Sequence, residues 1–216
     1  MGNIYQSKKS GRKTSWRKAG IALMAVFGSL FLNTTQAQVS TYTFAQSAGT
    51  YTPITGGTVL GVPNNDDTSF PNNPIGFSFC YNGATYTAVG INSNGWIEMG
   101  SLAMSNSYTA LSSGIDNNVI SAFNYDIQGD ATTGELRYQT IGTAPNRTLV
   151  VQWKDYDAYQ SVVNTDLYNF QIRLSESNGD VEIVYGGFTM NGFRLPQVGL
   201  RGASNADYNN RSVSNG

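Results

Sequence analysis

From residue 38 onward the apolar residues of this chain recur at every second position and never settle into a 3.6-residue stripe. Alternation at period two puts successive side chains on opposite faces of a strand, whereas a helix needs apolar residues three and four apart. Phe77, Phe79 and Tyr81 alternate with small residues; Leu136 and Tyr138 share a face; Leu149, Val151 and Trp153 point one way; Phe170, Ile172 and Leu174 do the same, with Gln171 and Arg173 opposite. Asn, Gly, Ser and Asp clusters separate the segments, which is the pattern of a sandwich or barrel built from short strands. The chain is therefore expected to be all-β: one antiparallel β-sandwich, jelly-roll-like, of about ten short strands over residues 38–203.

The turns sharpen this. Asn82-Gly83 between two alternating segments predicts a two-residue hairpin, because that loop needs positive φ at both positions. Asn94-Gly95 opens a short strand from Trp96 to Met99, and Asn178-Gly179 predicts a second hairpin into Val181–Tyr185. Val119–Phe123 reads as a strand buried on both faces, and Gln197–Arg201 as the last strand. Tyr42–Phe44 and Thr58–Leu60 read as weak edge strands. Pro63–Pro74 reads as a polar loop, 154–166 as a long loop, and the Ser/Asn-rich 204–216 as a linker or truncated end.

Residues 1–37 belong to a different category. Lys8, Lys9, Arg12, Lys13, Arg17 and Lys18 precede an apolar run from Ala19 to Leu32, and no acidic residue occurs before Ala37. The run is shorter than the roughly 20 residues a membrane-spanning helix needs. Thr35-Gln36-Ala37 has the small-x-small form of a cleavage site, so export with cleavage between Ala37 and Gln38 is expected. The product would be secreted or held at the cell surface, with no membrane span left. Without the six basic residues of the leader, seven Lys/Arg face fourteen Asp/Glu, a balance of about −7. Nucleic-acid binding needs a basic footprint, so that class is excluded.

The chain contains no histidine and one cysteine, Cys80. No Ser-His-Asp or Cys-His site and no His-ligated zinc can be assembled, and no internal disulfide can form. Cys80 sits among Phe77, Phe79 and Tyr81 and is expected to be a small buried hydrophobe. The chain is read as non-enzymatic.

Two resemblances follow from particular stretches. Val89-Gly90-Ile91-Asn92-Ser93-Asn94-Gly95-Trp96-Ile97 resembles the strand pair of nidogen-like extracellular domains, and Val119–Asp126 resembles a later stretch of the same domains. Leu149–Trp153, Asn169–Leu174 and Ile183–Gly186 follow in that family's order. The opening Tyr42–Tyr51 and Ile54–Thr58 resemble N-terminal modules of secreted or surface proteins of Bacteroidota, many of which end in a type IX secretion sorting domain. No such sorting domain occurs in the sequence given. Both resemblances imply adhesion or matrix association rather than catalysis, with an extracellular protein, matrix or glycan as partner.

Candidate site residues fall into two groups. Asp126 and Asp130 flank a turn, and Asp155 and Asp157 follow Trp153. If the two loops share one end of the sandwich, four carboxylates offer calcium its oxygen ligands; the alternative is solvated turn residues. No other cofactor is expected. The same carboxylates with Glu98 could form a glycosidase pair, though no local motif announces one. Tyr125, Tyr156, Tyr159 and Tyr168 offer planar rings beside carboxylates, as sugar-binding surfaces do; the alternative is rings packed over the sandwich end. A carbohydrate-binding module of a larger exported enzyme and a calcium-dependent adhesin are thus the alternatives to a general interaction module.

Overall fold

A computed structural model describes residues 38–212 apart from 101, 107, 109, 110, 160–164 and 193. The expected leader and Ala37 lie outside these residues; Gln38 is the first of them. A 3-10 turn at Val39–Thr41 precedes twelve strands among the described residues: β1 (Thr58–Gly61), β2 (Ser69–Tyr81), β3 (Ala84–Asn92), β4 (Trp96–Met99), β5 (Val119–Ser121), β6 (Ile127–Gly129), β7 (Glu135–Ile141), β8 (Thr148–Ala158), β9 (Leu167–Ser175), β10 (Val181–Thr189), β11 (Gln197–Arg201) and β12 (Tyr208–Ser212). No helix among the described residues is long and apolar enough to cross a membrane.

The strands form two antiparallel six-stranded sheets, giving the expected sandwich. The first runs β1-β7-β8-β9-β10, with β6 also paired to β8; the second runs β12-β11-β5-β4-β3-β2. Each sheet is mostly a meander, β7 to β10 in one and β2 to β5 in the other, so most partners are also sequence neighbours.

Alternation decides what lies between the sheets. In the first sheet the row Leu136, Trp153, Phe170 and the row Tyr138, Val151, Ile172 face inward. Ile75, Phe77, Phe79, Tyr81, Val89, Ile91 and Ile97 join them from the second sheet in one cluster. Burying a side chain of this size contributes about 1.5–3 kcal/mol. Trp153 stacks on Phe170 at 5.0 Å, and its Nε1 donates to the carbonyls of Asn92 and Ser93, both at 3.1 Å. That ring ties the first sheet to the β3–β4 loop of the second. Tyr81 does a similar task inside the second sheet, its hydroxyl contacting the carbonyls of Val119 and Arg201 at 3.1 Å each.

The first hairpin is as read, with Asn82 and Gly83 at φ 49° and 75°. The second hairpin is also as expected, β9 and β10 pairing antiparallel around a five-residue loop, 176–180, in which Gly179 has φ of 74°. Several expectations are corrected. Ser69–Pro74 is strand, not loop: β2 pairs with β3 through register shifts around Asn72, whose φ of 59° absorbs the irregularity. The expected loop at 154–166 starts later, since β8 runs on to Ala158 and bulges at Asp155, φ 53°. Tyr42–Phe44 is not a strand. The segment after Arg201 is no linker through residue 212: β12 pairs along the whole of β11, from Gln197 opposite Ser212 to Arg201 opposite Tyr208. Its Asn-rich sequence concealed an edge strand that needs only its backbone to pair. Cys80 is exposed, because the alternation that buries Phe79 and Tyr81 turns residue 80 outward.

Candidate functional site

Three loops meet at one end of the sandwich: the β1–β2 loop with Asn64, Asn65, Asp66 and Asp67, the β3–β4 loop with Ser93, Asn94 and Gly95, and the β5–β6 loop with Asn124, Tyr125 and Asp126. Asn64, Asp67 and Asn124 have φ of 61°, 41° and 40°. Asn and Asp tolerate this left-handed region better than most side chains, which is why tight bends here are built from them.

Asn94 is the keystone. Its Nδ2 donates to Asp67 Oδ1 at 2.8 Å and its Oδ1 accepts from the Ile127 backbone N–H at 2.9 Å, so one buried amide links all three loops. Thr68 N–H donates to Ser93 Oγ and Ser93 N–H to the Thr68 carbonyl, both at 2.9 Å. On the far side, Tyr156 donates to Asn65 Oδ1 at 3.3 Å.

This framework gathers Asp66, Asp67 and Asp126, each with a carboxylate oxygen within 4.8 Å of the others. Asp66 Oδ1 and Asp126 Oδ1 are closed off from solvent without a hydrogen-bond donor. Burial, then the charges of Asp67 and Asp126, push the Asp66 carboxyl up to about 6. Burial and then Asp67 raise Asp126 in the same way. Burial also raises the Tyr156 hydroxyl, with Asp66 adding to it. Such a corner can hold a proton shared between acids or accept a hard cation that takes oxygen ligands.

Of the four aspartates expected to act together, only Asp126 is in this group. Asp130 caps its own turn: its Oδ1 accepts from the N–H groups of Thr132 and Thr133 at 2.8 and 2.9 Å and from both hydroxyls, holding the carboxyl down at about 2. Asp155 sits at the β8 bulge, paired with Lys154 at 2.8 Å, while its N–H donates to Asn169 Oδ1. Asp157 lies in β8 opposite Gln128, almost fully buried, and burial raises its carboxyl. Glu98 lies in β4, opposite Gly90 of β3 and Val119 of β5.

The four tyrosines divide as well. Tyr156 and Tyr168 are core rings, 1% and 0% exposed, because β8 continues through the expected loop and β9 points Tyr168 inward. Tyr159 is exposed, and its N–H donates to the Asp126 carbonyl at 3.1 Å. Tyr125 is half-buried and stacks on the exposed Tyr108, centroids 6.4 Å apart and planes 17° apart. The Arg194 guanidinium lies 5.9 Å above Tyr125 and is held by Asp166 at 3.2 Å. Tyr125 and Tyr159 thus border the carboxylate corner through Asp126.

Asp66, Asp67, Asn94 and Tyr108 were not among the sequence candidates. The run Asn64-Asn65-Asp66-Asp67 was the available signal for the first two, four turn-forming polar residues in a row. Nothing local to Tyr108 marks it, since its partner lies on another loop.

No curated protein and no solved structure matches the chain. A family model described as NIDO related matches residues 41–215, a span that includes all twelve strands. The match spans more than half of the chain, and the chain belongs to the NIDO-related family.

Proposed function

We propose that this domain is a non-enzymatic extracellular interaction module that contacts a matrix protein, glycan or partner protein through the loop end bearing Tyr108, Tyr125 and Tyr159. Family membership supports the extracellular adhesion-type role. The observation that carries the choice of surface is the exposed Tyr108 stacked on Tyr125, with Tyr159 and Asp126 beside it. Flat rings with adjacent fixed polar groups offer an apolar platform and orienting hydrogen bonds, the combination that binding sites use. The leader-like N-terminus and the resemblance to surface proteins of Bacteroidota fit the same setting.

The test is binding of the fluorescently labelled domain to a glycan array, to immobilised matrix proteins and to whole cells, with Tyr108→Ala and Tyr159→Ala alongside. Loss of at least tenfold in affinity, with unfolding midpoints unchanged, is expected. Retention of full binding by both variants would move the contact to another surface.

A second reading, cation-assisted binding, is favoured by one observation. Asp66, Asp67 and Asp126 converge, with Oδ1 of two of them shut off from water. A thermal-shift scan with millimolar calcium chloride, reversed by EDTA, should raise the melting temperature of the wild type and not of Asp66→Asn. An unmoved wild-type midpoint rejects this version and leaves the first intact.

A further inference from the structure

The outer face of the first sheet carries a row of polar side chains in exact register: Arg137 of β7 opposite Gln152 of β8, and Gln152 opposite Gln171 of β9. Outward residues of an uncovered sheet would stand in water, yet Gln152 and Gln171 are 0% exposed. What covers them is the chain's own N-terminal arm, which crosses the strands in extended form. Arg173 Nη2 donates to the Thr50 carbonyl at 3.1 Å, Gln171 Nε2 to Thr52 at 2.9 Å, Gln152 Nε2 to Ile54 at 3.2 Å and Arg137 Nη1 to Gly56 at 3.0 Å. Gln152 Oε1 also accepts the Ile54 N–H at 2.9 Å. Every second carbonyl of the arm is read, each by a different rung.

The rungs orient one another. Arg173 donates to Gln171 Oε1 through Nε and Nη2, at 2.9 and 2.7 Å, and Gln171 Nε2 donates to Gln152 Oε1 at 2.9 Å. Glu135 holds Arg137 in the same way at 2.5 Å. A ladder pre-set like this loses little side-chain freedom when a strand of polypeptide settles on it. Its contacts are to main chain; Thr50, Thr52, Pro53 and Thr55 remain exposed. The ring of Tyr51 is the exception, lying where a Cβ on Gly186 would be 2.7 Å away.

The arm is joined to the body at Gly56-Gly57, where Gly57 has φ of 79° and no room for a Cβ, 2.2 Å from the Tyr138 carbonyl. Its other end is held by equally transferable contacts: Val39 buried in the core, Ser40 N–H to Asp207 Oδ1 at 3.1 Å, and Asn209 Nδ2 to the Tyr42 carbonyl at 2.9 Å. Nothing in these contacts distinguishes a copy's own arm from that of a neighbour, and exchange of an identical element is a low-cost route to a dimer.

We propose that the outer face of the first sheet is a docking groove for extended polypeptide, and that copies of this chain exchange their N-terminal arms through it, hinging at Gly56-Gly57, to form a dimer. The dimer would present two loop ends at once, and paired weak contacts gain avidity without any new contact at either end.

Gly49 lies over Val184, its Cβ position 3.7 Å from Val184 Cγ1, close enough for a cysteine pair. In a Cys80→Ser background, the double variant Gly49→Cys/Val184→Cys should close an internal disulfide in the monomer. Single variants Gly49→Cys and Val184→Cys, differently tagged and refolded together at high concentration, join above the level of random collision only if an arm docks on another copy. A covalent heterodimer is expected several-fold above that of a control pair, Gly49→Cys with Ser177→Cys, whose second thiol lies on the exposed β9–β10 loop. Heterodimer at the control level, with the double variant closing normally, overturns the exchange. Failure of the double variant to close overturns the placement of the arm itself.

Discussion

Replacing Gly95 by alanine tests how the β3–β4 loop is seated, and Gly179→Ala supplies its control. Both glycines have left-handed backbone, φ 84° and 74°. An L side chain in that region costs about 1–2 kcal/mol. At Gly179 nothing lies within 4 Å of the new methyl group, so the conformational cost stands alone. At Gly95 the added Cβ would be 2.9 Å from Phe123 Cβ and 3.2 Å from Phe170 Cζ. Phe170 is sandwiched by Trp153 and Phe123 at 5.0 and 5.9 Å and cannot retreat without disturbing both. The Gly95 carbonyl also accepts the Ala122 and Phe123 N–H groups, at 3.0 and 3.1 Å, which prevents the loop from lifting away. Overpacking of a filled core adds about 1–3 kcal/mol. Gly95→Ala should therefore cost about 3 kcal/mol and Gly179→Ala about half of that. With a urea slope of about 2 kcal/mol/M, the midpoints fall by about 1.5 M and about 0.7 M. The fluorescence of Trp96 and Trp153, both fully buried, follows the transition. Equal midpoints for the two variants would refute the reasoning, because only packing distinguishes them.

Three further outcomes follow from single side chains. The Asp66 carboxyl, pushed up to about 6, binds its proton more tightly in the folded than in the unfolded chain, so stability falls as pH rises from about 4 to about 6. In metal-free buffer, Asp66→Asn should then melt higher than wild type at pH 7.5 and level with it at pH 4, as calorimetry can show; a lower melting point at pH 7.5 would contradict the placement. Trp153→Phe keeps a ring against Phe170 but leaves the Asn92 and Ser93 carbonyls without their indole donor, and should cost about 1–3 kcal/mol in urea denaturation. Cys80, being exposed, should react with a thiol reagent in native buffer about as fast as in denaturant; strong native-state protection would return it to the interior.

Alternation alone located nearly every strand, because a two-sided sheet leaves no freedom once Phe77, Phe79 and Tyr81, or Phe170, Ile172 and Leu174, must face one way. It failed where no apolar row marks the strand, as in β12, and where a bulge breaks the alternation, as in β8. Residues 208–212 of β12 carry no inward apolar row, and Asp155–Ala158 continue β8 with acids, one of them absorbed by a bulge. The candidate site was legible only in part for a related reason. Asp126 announces its turn, but that it meets Asp66 and Asp67 rather than Asp130 depends on Asn94 bridging loops separated by 27 and 33 residues in the chain. The tyrosines divide by the same logic: Tyr125 and Tyr159 sit past strand ends and keep a surface, whereas Tyr156 and Tyr168 fall on the inward phase of β8 and β9. Gln152 and Gln171 show the limit most clearly. Their phase correctly predicts the outer face, and an outer-face glutamine is ordinarily a solvated one. Only the arm arriving from about 100 residues earlier turns the pair into a buried, hydrogen-bonded ladder. Periodicity fixes which way a side chain points; what waits there is decided by the rest of the chain.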